Sequence, residues 1–212
     1  MDMSDFVQGV QKDLGHRKQE LSGIWLMVQE ADPNPHRLSC LSRSAIVLAY
    51  AHWEGCVKSA SKRYVNYINS RQLPVLELKR SLQAAHLTSQ FRRGGDSARI
   101  RFLGELLGEI DRVRAAVCAI NPNKCIDMED NLSSIVFKDL VIGLGLEYLD
   151  VYSTRQVFID RQVVYARNQV AHGELVSFDS IDVELRIKGV LTLLDTYSNQ
   201  LIEAVHDNHF LA

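Results

Sequence analysis

The sequence predicts an all-α protein, and three observations carry that expectation. Apolar residues recur at three- and four-residue intervals along two long stretches near the start and one at the end. Only four prolines and twelve glycines are spread over 212 residues, too few for a loop-rich β-sandwich and well suited to long helices. Hydrophobic residues make up 46% and charged residues 24%, a globular balance and not a disordered one. A chain of this length buries a substantial core, and it reads as a single helical domain over 1–212 with a less regular insertion around 72–147.

The first helix is expected over 5–30, where Phe6, Val10, Leu14, Leu21, Ile24, Trp25 and Val28 form one apolar face. Asp32-Pro33-Asn34-Pro35 ends it, because proline disfavours helix in the residue before it. A longer helix follows over 36–69, with Leu38, Leu41, Ala45, Leu48, Ala49, Trp53, Val57 and Ala60 on its apolar face. Ile46, Val47 and Tyr50 widen that face, as expected of a central helix with several neighbours. Leu73-Pro74 interrupts the pattern before a shorter helix over 75–85. Gly94-Gly95-Asp96-Ser97 reads as a turn and cap leading into a helix over 98–118.

From Asn121-Pro122-Asn123 to Asn131 the chain is loop-like; 133–137 has the pattern of a short strand, whereas 137–146 reads as helix. Ser153-Thr154 precedes a helix carrying Val157, Phe158, Val164 and Val170. It stops at His172-Gly173, since glycine lacks the Cβ that penalises positive φ. Residues 177–180 supply caps for a final helix striped by Ile187, Val190, Leu191, Leu194, Tyr197, Leu201 and Val205.

Charge is unevenly placed. Between Lys58 and Arg101 ten basic residues (Lys58, Lys62, Arg63, Arg71, Lys79, Arg80, Arg92, Arg93, Arg99 and Arg101) face two acidic ones, Glu77 and Asp96. That net +8 leaves −10 on the remainder of a chain whose total is −2. A solvated helix face explains many such runs, but segregation on this scale also fits an anionic partner such as nucleic acid. Met1 to Ser4 leads directly into a polar amphipathic stretch with no secretory pattern. No apolar run approaches the roughly 20 residues a bilayer requires. Cys40, Cys56, Cys118 and Cys125 form no Cys-x-x-Cys pair, and Cys40 and Cys56 read as buried, reduced thiols. These features predict a cytoplasmic protein without a membrane partner.

The string that carries chemistry is Tyr165-Ala166-Arg167-Asn168-Gln169-Val170-Ala171-His172-Gly173. On a helix Asn168 and His172 are four apart and share a face, and Arg167 is long enough to reach round. The negative end of the helix dipole favours imidazolium at His172 by about 0.3–1 kcal/mol, and Arg167 opposes that shift. The result is a histidine poised near neutrality for proton transfer. A guanidinium fork suits phosphate because it donates two parallel hydrogen bonds.

This Arg-x4-His core, with a polar residue after the arginine and an Ala-His-Gly ending, resembles the catalytic signature of HEPN ribonucleases. Ala49-Tyr50-Ala51-His52-Trp53-Glu54-Gly55 is similar to the central helix of bacterial HEPN families linked to toxin–antitoxin and defence loci. The resemblance spans roughly 38–205 and is specific at these two strings. It implies an antiparallel bundle of four to five core helices and a metal-independent endoribonuclease that needs no cofactor. It also implies a homodimer whose cleft gathers Arg167 and His172 from both chains. RNA brings its own nucleophile, the 2′-OH. His172 would move protons, Arg167 would stabilise charge on the phosphorane, and Asn168 would orient the phosphate or the histidine. An antitoxin or a defence-system protein is the implied regulatory partner.

Glu54 reads equally as an acid orienting Arg167 or His172 and as a salt-bridge partner of Arg43 or Lys58. Lys58, Lys62, Arg63, Arg92 and Arg93 are the expected RNA contacts. His52, Trp53 and Tyr165 read as core residues. Arg80 and His86 repeat the arginine–histidine theme without its flanking residues and read as coincidence. His206-x-x-His209 has no further ligand to complete a metal site. Two other functions fit the same residues: a non-catalytic HEPN module that binds RNA or a nucleotide, and a helical scaffold or immunity protein with an incidental Arg–His pair.

Overall fold

The computed structural model describes residues 1–31, 33–90, 107, 108, 110, 112, 116–126, 128 and 131–212, and among them it is helical with no strand. In order these are α1 (Met3–Ala31), α2 (Pro35–Ser70), a 3₁₀ turn (Val75–Glu77), α3 (Arg80–Gln90), α4 (Pro122–Cys125), α5 (Ser134–Gly143) and α6 (Asp150–Ser153). A π-helical segment (Phe158–Tyr165) then runs into α7 (Ala166–Ala171), and α8 (Ser180–His206) follows. None of the described helices is long and apolar enough to cross a membrane.

Three long helices form the frame. Asn34 caps α2 by accepting from the Arg37 N–H at 3.1 Å, and Pro35 occupies the first turn, where its missing N–H costs nothing. The short connection folds α2 back along α1: Phe6 packs on Tyr67, and Arg17 reaches His52. Lys18 pairs with Asp195 and Lys188 lies over Trp25, so α8 runs antiparallel to α1 and alongside α2 in the same direction. The core between them contains Phe6, Leu21, Val28, Trp53, Val57, Tyr64, Val190, Leu194, Tyr197 and Leu201, all buried.

Phe137 of α5 inserts into this core. Its ring centroid lies 4.8 Å from Trp53, 5.0 Å from Tyr152 and 5.5 Å from Tyr197, at the steep angles aromatic quadrupoles favour. The Trp53 indole also donates to the Leu132 carbonyl at 3.2 Å, tying the chain before α5 to α2.

Several expectations are corrected. The helix expected over 75–85 starts at Arg80, after the 3₁₀ turn at Val75–Glu77, because Pro74 and Leu78 on either side of that turn are held in extended bridges. The Leu73 carbonyl accepts from Cys118, the Val75 N–H donates to Ala116, and Leu78 bridges Leu211. For the same reason the helix expected over 98–118 has given way to extended chain by Val117; its start, like Gly94-Gly95-Asp96-Ser97, lies outside the described residues. The 133–137 strand is the start of α5, with Ser133 as N-cap and Ser134 donating from its N–H and Oγ to Asp160, each at 2.7 Å. Asp179, within the expected 177–180 capping stretch, caps α8. Cys40 is exposed, while Cys56 is buried with its thiol pushed up to about 11 by desolvation.

The α1–α2 seam holds a polar network. Arg17 donates to Asp13 at 2.9 Å and approaches His52 Nδ1 at 3.4 Å, and Ser59 donates to Asp13 at 2.8 Å. Gly55 makes room for it, since a Cβ there would meet the Arg17 guanidinium at 2.8 Å. His52 Nε2 lies 3.1 Å from a Glu20 oxygen. Burial, reinforced by the charge of Arg17, holds His52 below its ordinary 6.5, and burial does the same to His86. Both folded rings therefore favour the neutral form, and between the lowered pKa and 6.5 the unfolded chain binds more protons. Stability should fall as pH drops below about 6.5, and His52→Gln with His86→Gln should flatten that fall in urea-unfolding midpoints measured from about pH 7 to 5. In the same assay two glycines should act oppositely. Gly15→Ala, in open helix, should stabilise by about 0.5–1 kcal/mol, whereas Gly173→Ala, at φ +78, should destabilise by about 1–2 kcal/mol.

Candidate functional site

The helix carrying the Arg-Asn-x-x-Ala-His-Gly string ends as the sequence predicts, at His172-Gly173. The Gly173 N–H donates to Val170 at 3.1 Å and the Glu174 N–H to Gln169 at 2.9 Å, the paired bonds of a Schellman stop around a left-handed glycine. Arg43 of α2 donates to the Glu174 carbonyl at 2.8 Å and fastens this turn to the central helix. His172 is left exposed at the helix end, with its backbone N–H on the Asn168 carbonyl at 2.9 Å. Asn168 sits one turn earlier, half-buried, on the rim of a depression shared with Tyr165.

Arg167 points inward to α2. Its guanidinium carbon lies 3.8 Å from the centre of the Tyr50 ring, and Nη2 donates to the side-chain oxygen of Asn131. Tyr50 is itself fixed at both ends of its hydroxyl, which donates to Glu54 and accepts from the Leu132 N–H at 3.1 Å. Burial, together with that hydrogen bond to the Glu54 carboxylate, pushes the Tyr50 hydroxyl above its usual 10.0, so it remains a neutral platform. A guanidinium stacked on a phenol face keeps its edge in a fixed plane. Glu54 accepts from the Tyr50 hydroxyl, and Arg43, one of its two expected salt-bridge partners, is engaged with Glu174.

The expected RNA contacts divide. Lys58 is exposed on α2 one turn beyond Glu54, and Lys62 lies a further turn along, donating to Asn123 at 2.7 Å. Arg63 turns towards α1, where its guanidinium occupies the space a Cβ on Gly9 would take. Arg92 and Arg93 lie outside the described residues. Within one chain Arg167 and His172 are one turn apart on the same helix but occupy different surroundings, one braced against α2 and the other open to solvent.

Sequence reasoning missed Asn131 and the platform role of Tyr50, and it placed Tyr165 in the core, where the structure leaves it 50% exposed. Spacing along the motif helix carries no signal for a partner supplied by another element. His52 and Trp53 are buried as expected, and Arg80 bonds Gln83 while His86 Nδ1 accepts from the Ala119 N–H at 3.0 Å. Among the described residues no group of three His, Cys, Asp or Glu is placed to hold a metal, and His206 pairs with Asp207.

Beside the motif helix an apolar groove of about 510 Å³ runs between α2 and α7. It is lined by Cys40, Arg43, Val47, Leu48, Ala51 and Val170, with Val47 and Ala51 exposed.

The profile of the RiboL-PSP-HEPN family matches residues 12–203, from early in α1 to the last turns of α8. No curated protein and no solved structure matches the chain.

Tyr50→Phe should separate the platform from its anchoring. The ring remains under Arg167, but the Leu132 N–H and Glu54 lose their partner, which should cost about 1–3 kcal/mol in urea unfolding. A variant as stable as the parent would show that water replaces the hydroxyl without loss.

Proposed function

Because the chain belongs to the RiboL-PSP-HEPN family, of a superfamily whose members cleave or bind RNA, we propose that it is a metal-independent endoribonuclease working as a homodimer. The observation that carries this reading is the division of labour along one helix. Arg167 is braced by Tyr50 and Asn131, while His172 is delivered exposed at a fixed helix end with Asn168 on its face. A fixed guanidinium and a solvent-facing imidazole are what RNA self-cleavage through its 2′-OH requires of a protein.

In-line displacement needs a proton acceptor on the nucleophile side and a donor on the leaving-group side. One chain offers a single imidazole near this helix end, and a second copy supplies another. The apolar groove flanked by Val47, Ala51 and Val170 lies beside the motif and supports pairing there, since exposed apolar surface at a helix seam is stabilised by burial. In the paired cleft Arg167 stabilises the phosphorane charge, Asn168 orients the phosphate, and His172 transfers protons, yielding a 2′,3′-cyclic phosphate and a 5′-hydroxyl. Lys58 and Lys62 continue the exposed face of α2 and attract the RNA backbone. We place the enzyme among toxins of toxin–antitoxin or antiviral-defence systems, held in check by an antitoxin or a defence-system protein, because unrestrained RNA cleavage harms the cell that makes it.

A second reading, RNA binding without cleavage, is favoured by one observation: Arg167 and His172 do not meet within a single chain. One experiment decides between them. Purified protein incubated with total RNA in EDTA should cut it and leave cyclic phosphate ends. His172→Ala should slow cutting by about 10²–10⁴-fold and Arg167→Ala by about 10²–10³-fold, with RNA binding retained. Loss of cleavage in EDTA, or free 3′-hydroxyl ends, would contradict the mechanism, and intact RNA that is nevertheless bound would favour the second reading.

A further inference from the structure

The π-helical segment just before Arg167 shapes a second feature. In a π-helix the hydrogen bond spans five residues, so side chains four and five apart fall together on one side. Over Phe158–Tyr165 this brings Asp160 and Arg161 level with Val164 and Tyr165. With Ser133 and Asn168 these residues line a depression of about 410 Å³, within the range of about 300–1,000 Å³ typical of small-ligand sites.

Its composition is specific. The floor is Val164, nearly buried, and one wall is the Tyr165 ring, 50% exposed in a helix whose other large apolar residues mostly face inward. Arg161 holds its guanidinium 6.0 Å from the centre of that ring. Asp160 is immobilised because Ser134 donates to both of its oxygens, at 2.7 Å each, leaving further lone pairs for a ligand. Ser133 and Asn168 add a hydroxyl and an amide. A flat aromatic face, a fixed carboxylate and an amide around an apolar floor match a planar ring with hydrogen-bonding edges.

We infer that this depression binds a nucleobase of single-stranded RNA, stacked on Tyr165, next to the phosphate held at Arg167 and His172. The inference rests on the reading of that site as an RNA site. Arg161, Tyr165, Asn168 and His172 follow one another along the same helix, and at 1.5 Å per residue Tyr165 stands about 10 Å along the axis from His172, within the span of a neighbouring nucleotide. Asn168 belongs to both features, on the rim of the pocket and one turn from His172. Stacking tolerates every base, and the fixed Asp160 acceptor favours bases that present donors on their edge.

The test uses full-length chain carrying His172→Ala, so that RNA is not consumed, and labelled single-stranded RNA oligonucleotides read by fluorescence anisotropy. Adding Tyr165→Ala should weaken binding by about 5- to 150-fold, the range for loss of one stacked base. Tyr165→Phe should keep the parental affinity. The salt dependence should stay unchanged with Tyr165→Ala, since that change removes no charge. An oligonucleotide with a single abasic position should reproduce the loss, and the abasic and Tyr165→Ala effects should not add. Equal binding by the Tyr165→Ala chain, or effects that add at every abasic position, would overturn the pocket. Cleavage by the chain with His172 intact is scored separately. Uncut RNA bound in a Tyr165-dependent way retains the pocket and removes the nuclease. RNA cut with the same KM by wild type and Tyr165→Ala does the reverse, and RNA neither bound nor cut overturns both.

Discussion

The guanidinium of Arg167 lies over the ring of Tyr50, and that contact joins the helix ending at His172 to the helix at the centre of the bundle. Tyr50 can serve as a platform because its hydroxyl is held between Glu54 and the Leu132 N–H, while the Asn131 side chain takes Arg167 from the other side. The segment that supplies Asn131 and Leu132 is in turn fastened by the Trp53 indole and by Phe137 in the aromatic core. The position of one charged group thus depends on packing that reaches from α2 through α5 to α8.

The other end of the motif is set by backbone geometry. Gly173 adopts a left-handed conformation that closes the helix, and Arg43 clasps the following carbonyl. His172 is fixed at the stop and still open to solvent.

Much of the frame was legible in the sequence because helical periodicity reports burial directly. The stripes of α1, α2 and α8, the break at Asp32-Pro33-Asn34-Pro35 and the His172-Gly173 stop all lie where spacing and backbone chemistry predict. The less legible region is held by contacts between distant segments. Leu73, Val75 and Leu78 pair with Ala116, Cys118 and Leu211, and no local pattern announces such pairing. The π-helical segment is also silent, since its apolar residues suit an α-helix equally well. At the site the string around Arg167 was readable, whereas Tyr50, Asn131 and Arg43 join it only through tertiary contact. Tyr165 was read as core because aromatic residues at helical spacing usually are, and the widened turn of the π-helix leaves it facing solvent instead.

If the exposed His172 of one chain works with that of a second copy, the two imidazoles form one unit and cannot act independently. Wild-type and His172→Ala chains, mixed in varied proportions under conditions that randomise pairing, measure this directly through the cleavage rate. A shared cleft predicts a rate that falls as the square of the wild-type fraction. A rate that falls in simple proportion to that fraction would show that each chain acts alone and would contradict the composite site.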